Sequence, residues 1–306
     1  MSDKKRTKKK QSPSPQPREI PQPGVVCQNP ECREPIARHS RICVVCGSDA
    51  GFPNVRASQE PNEKIALDKR LRAAQADAEQ RGCGSHLEDF RQAVNQSRAV
   101  LCRPIGKVAE LLSSDNELYT TFYQSVESWA RMPEDNEWDR GRGSVDALLF
   151  PHYHQEIRFA ALSLDGQGMT GYGGLTMILS EVAIRARATV FEKNTIQFCR
   201  DHQVLAGGTA PSGYRAEWND RGTLAAAKLY AKIAPETTAD EFNGILMDSS
   251  GATTADFIEV HIYGPLHRRA ITKVIGKVPQ RHADKVLLKS ISAKLEAINI
   301  QVVSVP

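Results

Sequence analysis

The sequence predicts an α+β fold with a small cysteine-bearing module ahead of it. Three observations carry that reading. Short apolar runs with strand character, bounded by Gly, Asp or Asn, crowd the region from Ile157 to Tyr263. Amphipathic segments with helix spacing flank and interrupt them, which favours α+β over a regular alternation of strand and helix. Four of the seven cysteines fall between Cys27 and Cys46. With 40% hydrophobic and 25% charged residues, the chain has the balance of a soluble globular protein.

Residues 1–23 hold seven Lys or Arg against Asp3 and Glu19 and are rich in Ser and Pro, so they are expected to be a disordered basic tail. The remaining 283 residues carry 33 basic and 34 acidic groups, and the tail is therefore read as the only basic part. It either holds phosphates without reading sequence or serves as a solubilising arm. It lacks the apolar stretch of a secretory signal. No run of eighteen apolar residues predicts a membrane span. An odd cysteine count with one tight cluster points to a reducing cytoplasm and a metal site rather than a disulfide framework.

Residues 24–52 form the cysteine module, and 53–83 a linker whose helix over 60–82 has a thin stripe of Ile65, Leu71, Ala74 and Ala78. The main domain, 84–306, opens with capping-box spacing at Ser85 and Glu88, and again at Ser114 and Glu117 ahead of Tyr119, Phe122, Val126 and Trp129. Residues 131–144 read as a polar loop. Strands are expected at Ile157–Leu164, Leu175–Leu179, Ala188–Phe191, Phe257–Tyr263 and Ile300–Val305. Helices are expected at Thr223–Ile233, after the Thr238/Glu241 cap, and through Ala283, Leu287, Ile291 and Leu295.

The spacing Cys27-x4-Cys32-x10-Cys43-x2-Cys46, followed by Gly47, places two close thiol pairs across a short loop. Such pairs suit a structural, tetrahedral Zn²⁺, and the module resembles a zinc ribbon. Val25, Val26, Ile36, Ile42 and Val44 give it little else to fold around. His39, between the pairs, is expected at the surface. Nucleic acid and protein are both open as partners of the ribbon, and the basic tail tilts the reading toward nucleic acid.

In the segment Asp256-Phe-Ile-Glu-Val-His-Ile-Tyr-Gly-Pro-Leu266, an extended chain puts Ile258, Val260 and Ile262 on one face. Phe257, Glu259, His261 and Tyr263 share the other. A carboxylate among an imidazole and aromatic rings suits a cleft; a half-exposed edge strand is the alternative.

This segment resembles the final core strand of bacterial ADP-ribosyltransferases, in the residues Glu259, Ile262, Gly264, Pro265 and Leu266. Upstream, Tyr172-Gly173-x-Leu175-x-Met177-x-Leu179, then Arg187-Ala188-Thr189-Val190 and Asn194-Thr195, are similar to the Tyr-Gly and R-A-T strands of that family. The resemblance spans about residues 145–275. It implies an ADP-ribosyltransferase-like mixed β core with flanking helices, and transfer of ADP-ribose from NAD with Glu259 as the catalytic carboxylate. By the same resemblance Arg158, or else His154, grips the dinucleotide, although a solvated strand Arg is the alternative for Arg158. Tyr172 stacks on nicotinamide or is a core tyrosine. Thr189, Asn194 and Thr195 contact ribose or brace Glu259. Phe257 stands where relatives that modify arginine carry an acidic residue, which argues against an arginine acceptor. The loop Met247–Asp256 occupies the place of the family's acceptor-choosing loop.

The resemblance further implies a toxin or defence effector, with nucleic acid or a nucleic-acid-associated protein as target and an inhibitory or antitoxin protein as a partner. NAD hydrolysis without an acceptor, and a non-enzymatic zinc-ribbon module that binds nucleic acid or protein, remain open. The acidic residues show no cluster suited to Mg²⁺, and there is no Walker loop or GxGxxG fingerprint.

Overall fold

A computed structural model describes residues 25–121, 123, 137–204, 208–248 and 255–305. The basic tail, and Phe122, Val126 and Trp129 of the expected aromatic helix, lie outside the described residues. The chain divides into two compact units, Met1–Ala50 and Gly51–Pro306.

In the first unit, β1 (Val25–Val26) pairs antiparallel with β2 (Pro35–Ile36). A second narrow pairing joins Ile42 to Asp49. Each thiol pair sits on a turn tied by backbone bonds, Cys27 N to Glu34 O at 2.9 Å and Cys43 N to Ser48 O at 2.9 Å. Gly47 closes the second turn with φ +74°, a conformation that favours glycine.

The second unit begins with α1 (Pro53–Ser58) and α2 (Pro61–Gln80). It continues with α3 (Gly84–Val94), β3 (Arg98–Arg103), α4 (Ile105–Leu111) and α5 (Glu137–Leu149). Next come β4 (Ile157–Ser163), β5 (Leu175–Leu179), α6 (Glu181–Ile184), β6 (Ala188–Phe191) and α7 (Thr195–Asp201). The last part holds β7 (Arg215–Glu217), α8 (Arg221–Leu229), α9 (Phe242–Leu246), β8 (Glu259–Tyr263), β9 (Ile271–Lys277), α10 (His282–Glu296) and β10 (Gln301–Val305). The eight strands β3–β10 form one mixed sheet in the order β10-β9-β5-β3-β4-β8-β6-β7. Only β9 and β10 run parallel, joined by the crossover helix α10.

One face of this sheet carries the main core. Leu101, Leu162, Met177, Val190, Val260, Ile262 and Val274 point into it, and α2, α3, α4, α8, α9 and α10 cover them through Leu67, Phe90, Val108, Leu224, Leu246 and Leu295. On the opposite face, α5 and α7 cover Phe191 of β6 through Leu149, Phe150 and Phe198. Beside that cluster lies a smaller one of Val100, Ala161, Met169, Ile178, Phe257 and Ile275.

Several expectations are corrected. The helix over 60–82, read as part of a linker, packs on the core of the second unit: Leu67, Ala74 and Ala78 are buried, because small alanines let α2 press onto the core, whereas Ile65 of the expected stripe is exposed. Ser85 caps nothing, since Cys83 is the N-cap of α3 and Glu88 pairs instead with Arg91. Residues 114–121 are not helical: Leu118 pairs with His267, and Tyr119 N donates to Leu266 O at 2.8 Å. The polar stretch 131–144 is helical from Glu137 onward. Strands β3, β7 and β9 join those read from the sequence. The capping box of Thr238 and Glu241 forms as its spacing requires.

Candidate functional site

Strand β8 lies in the interior of the sheet, between β4 and β6, with Glu259 opposite Ala161 and Phe191, and His261 opposite Phe159 and Thr189. Alternation does the sorting: Ile258, Val260 and Ile262 are fully buried in the main core, while Glu259 and His261 turn to the α5/α7 face. Burial of a carboxylate requires directed partners, and Glu259, only 3% exposed, has two. Its Oε2 lies 3.0 Å from His261 Nε2, and its Oε1 accepts from Asn194 Nδ2 at 3.4 Å. Asn194 has a double role, since its Oδ1 also caps α7 by accepting from Ile196 N at 3.0 Å and Gln197 N at 3.4 Å. The imidazole of His261 is walled by the rings of Phe150, Phe159 and Phe191, with centroids 4.8, 5.3 and 5.3 Å away. The contact joins the imidazole to the carboxylate through Nε2, and in the tautomer that carries Nε2–H the ring donates to Glu259.

A second carboxylate stands behind the first. Asp146 of α5 is fully buried; it accepts from Tyr123 Oη at 2.6 Å and Thr195 Oγ1 at 3.2 Å, and Arg142 Nε lies 3.4 Å away. Burial raises its pKa and the charge of Glu259 adds to that, against the lowering effect of Arg142, the Tyr123 bond and His261. The Arg142 guanidinium sits 4.9 Å over the Phe159 ring, within electrostatic reach of Glu259 and Tyr172. Tyr172 itself is 49% exposed; its pKa is raised by burial of part of the ring and then by Glu259, while Arg142 and Arg103 oppose the shift. Gly173 makes this placement possible. With φ +150°, a side chain there would collide with the backbone of Arg103 and Pro104, so only glycine lets the chain pass against the end of β3.

Of the residues expected at the site, Glu259 and Asn194 are in contact, and Tyr172 lies within electrostatic reach of Glu259. Thr189 pairs with His261 rather than touching Glu259, and its Oγ1 is 3.5 Å from Asn54 Nδ2. Thr195 braces Asp146, not Glu259. His154 packs its ring against Tyr123 at 5.1 Å, at the rim of the cluster. Arg158 is not brought in: it pairs with Ile262, so its side chain leaves from the opposite face of the sheet. There Nη1 donates to Glu156 O at 2.7 Å, and burial lowers its pKa. The expected R-A-T arginine, Arg187, shapes the end of β8, donating from Nη1 to Tyr263 O at 2.7 Å and Pro265 O at 2.8 Å. Asp256, where the chain enters the Glu259 segment, is held by Lys228 Nζ at 2.5 Å, which also donates to Phe257 O at 3.2 Å. Residues 249–254 of the expected acceptor-choosing loop lie outside the described residues.

Sequence reading missed Asp146, Arg142, Tyr123 and the ring wall around His261. The four-residue spacing of Arg142 and Asp146 was the available signal, concealed by the Gly and Asp content of the preceding stretch.

In the first unit, the sulfurs of Cys27, Cys32, Cys43 and Cys46 all lie within 4.8 Å of one another, and can hold a metal ion. Two of the separations are 3.6 Å (Cys27–Cys46) and 3.8 Å (Cys32–Cys43). A tetrahedron with metal–sulfur arms of about 2.3 Å has edges of about 3.8 Å, so the arrangement fits. Hydrogen bonding with the Ser48 side chain and backbone lowers the Cys46 thiol to about 6, while Cys27 and Cys32 of the same cluster are pushed up, so the thiols differ in how readily each gives the ligating thiolate. Around it the ribbon is electrically balanced, with Arg33, Arg38 and Arg41 against Glu31, Glu34 and Asp49, and it exposes Val44 (90%) and Val45 (66%). All seven cysteines are unbridged. Among the described residues, no helix is long and apolar enough to cross a membrane.

No protein-family model matches the chain, and no curated protein matches it in sequence.

Proposed function

We propose that the second unit is an NAD-dependent ADP-ribosyltransferase acting through Glu259, and that the first unit is a structural zinc ribbon. The observation that carries the proposal is the buried Glu259, fixed by Asn194 and His261 on an interior strand and within electrostatic reach of the half-exposed Tyr172. Such a carboxylate matches the chemistry. When the bond between nicotinamide and ribose breaks, its electron pair leaves with nicotinamide and positive charge grows on the ribose. A fixed carboxylate stabilises that charge more than it stabilises neutral ribose, which lowers the barrier. Asn194 and His261 hold Glu259 so that no reorganisation is needed. Tyr172 offers an exposed ring for stacking on nicotinamide. With Arg158 on the opposite face of the sheet, Arg142 and Arg103, whose charges reach Tyr172, are the proposed partners of the dinucleotide phosphates. An acceptor nucleophile then takes the ribose carbon and loses its proton; water in that place gives NAD hydrolysis.

The test is incubation of the zinc-loaded full chain with labelled NAD and total cellular RNA, DNA and protein. Label should move to one acceptor class with wild type and not with Glu259→Gln. Absence of both labelling and NAD loss with the folded wild type would refute the reading.

A second reading, a non-enzymatic ribbon module, is favoured by one observation: the apolar Val44–Val45 tip suits a protein partner better than a phosphate backbone. It requires that NAD neither binds nor is consumed.

A further inference from the structure

The near-neutral charge outside the tail is a cancellation. Residues 267–306 carry eight Lys or Arg and two Asp or Glu, a net of +6, while residues 25–266 carry 25 basic and 32 acidic groups, a net of −7. Folding gathers that excess at one edge of the sheet. Two of the eight cations are used structurally: Arg268 pairs with Asp115, and Lys294 Nζ donates to Leu112 O at 3.0 Å. The others include Lys273 and Lys277 on β9, and Arg281, Lys285 and Lys289 on α10.

Helix α10 packs onto the core through Ile291 and Leu295, with Leu287 and Leu288 partly buried. Arg281, Lys285 and Lys289 are exposed and recur every fourth residue, a row of about 12 Å at 1.5 Å rise per residue. At about 100° per residue, the Lys285–Lys289 row lies roughly half a turn from Lys294, and so faces away from α4. Lys273 and Lys277 leave β9 on the other face of the sheet, in line with Ile178 and Val305. Between the two groups runs β10, the last strand in the order, whose outer edge has no partner among the described residues. Cations therefore wrap an open edge. Asp284 is half-buried, and Glu296 lies beyond the row.

We infer that this edge is a docking surface for nucleic acid, held through its phosphates by Lys273, Lys277, Arg281, Lys285 and Lys289. Cations in a row with no ion pair among the described residues repel one another, and a polyanion relieves that repulsion while releasing its own counterions. Residues 267–306 contain no Phe, Tyr or Trp, so the surface has no platform for stacking bases and reads the backbone alone. The assignment is independent of Glu259 and holds whether or not the chain turns over NAD.

The test is fluorescence anisotropy without NAD, using the full chain and labelled 20-base-pair DNA and RNA duplexes of arbitrary sequence over a salt series. The comparison is between wild type, the triple variant Arg281→Gln/Lys285→Gln/Lys289→Gln, and the ribbon triple Arg33→Gln/Arg38→Gln/Arg41→Gln. Repeating it with the tail cations changed to Gln removes the tail's own contribution. The α10 variant should lose more than about tenfold in affinity at 0.1 M salt, and its log–log salt slope on DNA should flatten by about 2.7 units. The ribbon variant should bind as wild type does. Equal binding by the α10 variant and wild type in the neutral-tail background would overturn the inference. So would wild-type binding to phosphatidylserine vesicles with none to either duplex.

Discussion

The two faces of β8 are built by opposite rules. On one, Ile258, Val260 and Ile262 are buried among aliphatic neighbours and need nothing but shape. On the other, Glu259 and His261 are buried almost as deeply, yet each polar atom requires an aimed partner, supplied by Asn194 and backed by Asp146, Thr195 and Tyr123. The first arrangement is cheap and tolerant; the second costs desolvation and depends on exact partners. Two carboxylates and an imidazole buried where apolar residues would pack are what the catalytic role proposed for Glu259 would account for.

Substitutions on the two faces should therefore separate stability from activity. Ile262→Ala, fully buried in the main core, should cost about 2–5 kcal/mol of unfolding free energy, read by urea denaturation. Glu259→Gln should cost much less in the same experiment. If Glu259→Gln destabilises as much as Ile262→Ala, Glu259 is a structural residue and the contrast fails.

The supports of Glu259 come next. His261→Leu should lower the rate of NAD turnover more than it raises KM, and His261→Gln, which keeps a donor, should restore part of that rate. Asn194→Ala should show the same rate loss and also cost about 0.5–2 kcal/mol, because a helix cap goes with it. Equal rates for His261→Leu and His261→Gln would show that the imidazole does not position the carboxylate.

The smallest effect is a pH signature. Burial raises the pKa of Asp146 above its unfolded value, so in the window between those two values the folded state holds the proton more tightly. The contribution of this group to stability is full below the unfolded pKa and is lost as pH rises through the folded one. Wild type should thus gain stability relative to Asp146→Asn as pH falls from 7 toward 4. A difference that does not change with pH would mean that Asp146 titrates as an exposed carboxylate does.

What could be read beforehand follows from the same contrast. Alternation in 257–263 exposed both faces of β8 and singled out Glu259, and the cysteine spacing marked the four thiols that the fold brings together. Arg158 misled because alternation says which residues of a strand share a face, not which face meets which neighbour; that register is set by pairing with Ile262. Asp146 and Arg142 were hidden because Gly141, Gly143 and the acidic run before them resemble loop composition, and the helix there is fixed by tertiary packing of Leu149 and Phe150. The run Ala99–Cys102 was apolar enough to be a strand, but too short to tell from a buried helix turn. The basic C-terminal edge was concealed by arithmetic, since an overall balance erased a segregation of +6 against −7.

The role proposed for Glu259 is catalysis from a fixed position. Its most direct measurement is NAD loss and nicotinamide release by the purified, zinc-loaded chain, wild type beside Glu259→Gln of matched stability. Wild type should turn over measurably, and the variant should fall by about 10²–10³-fold. Equal rates in the two proteins would contradict it.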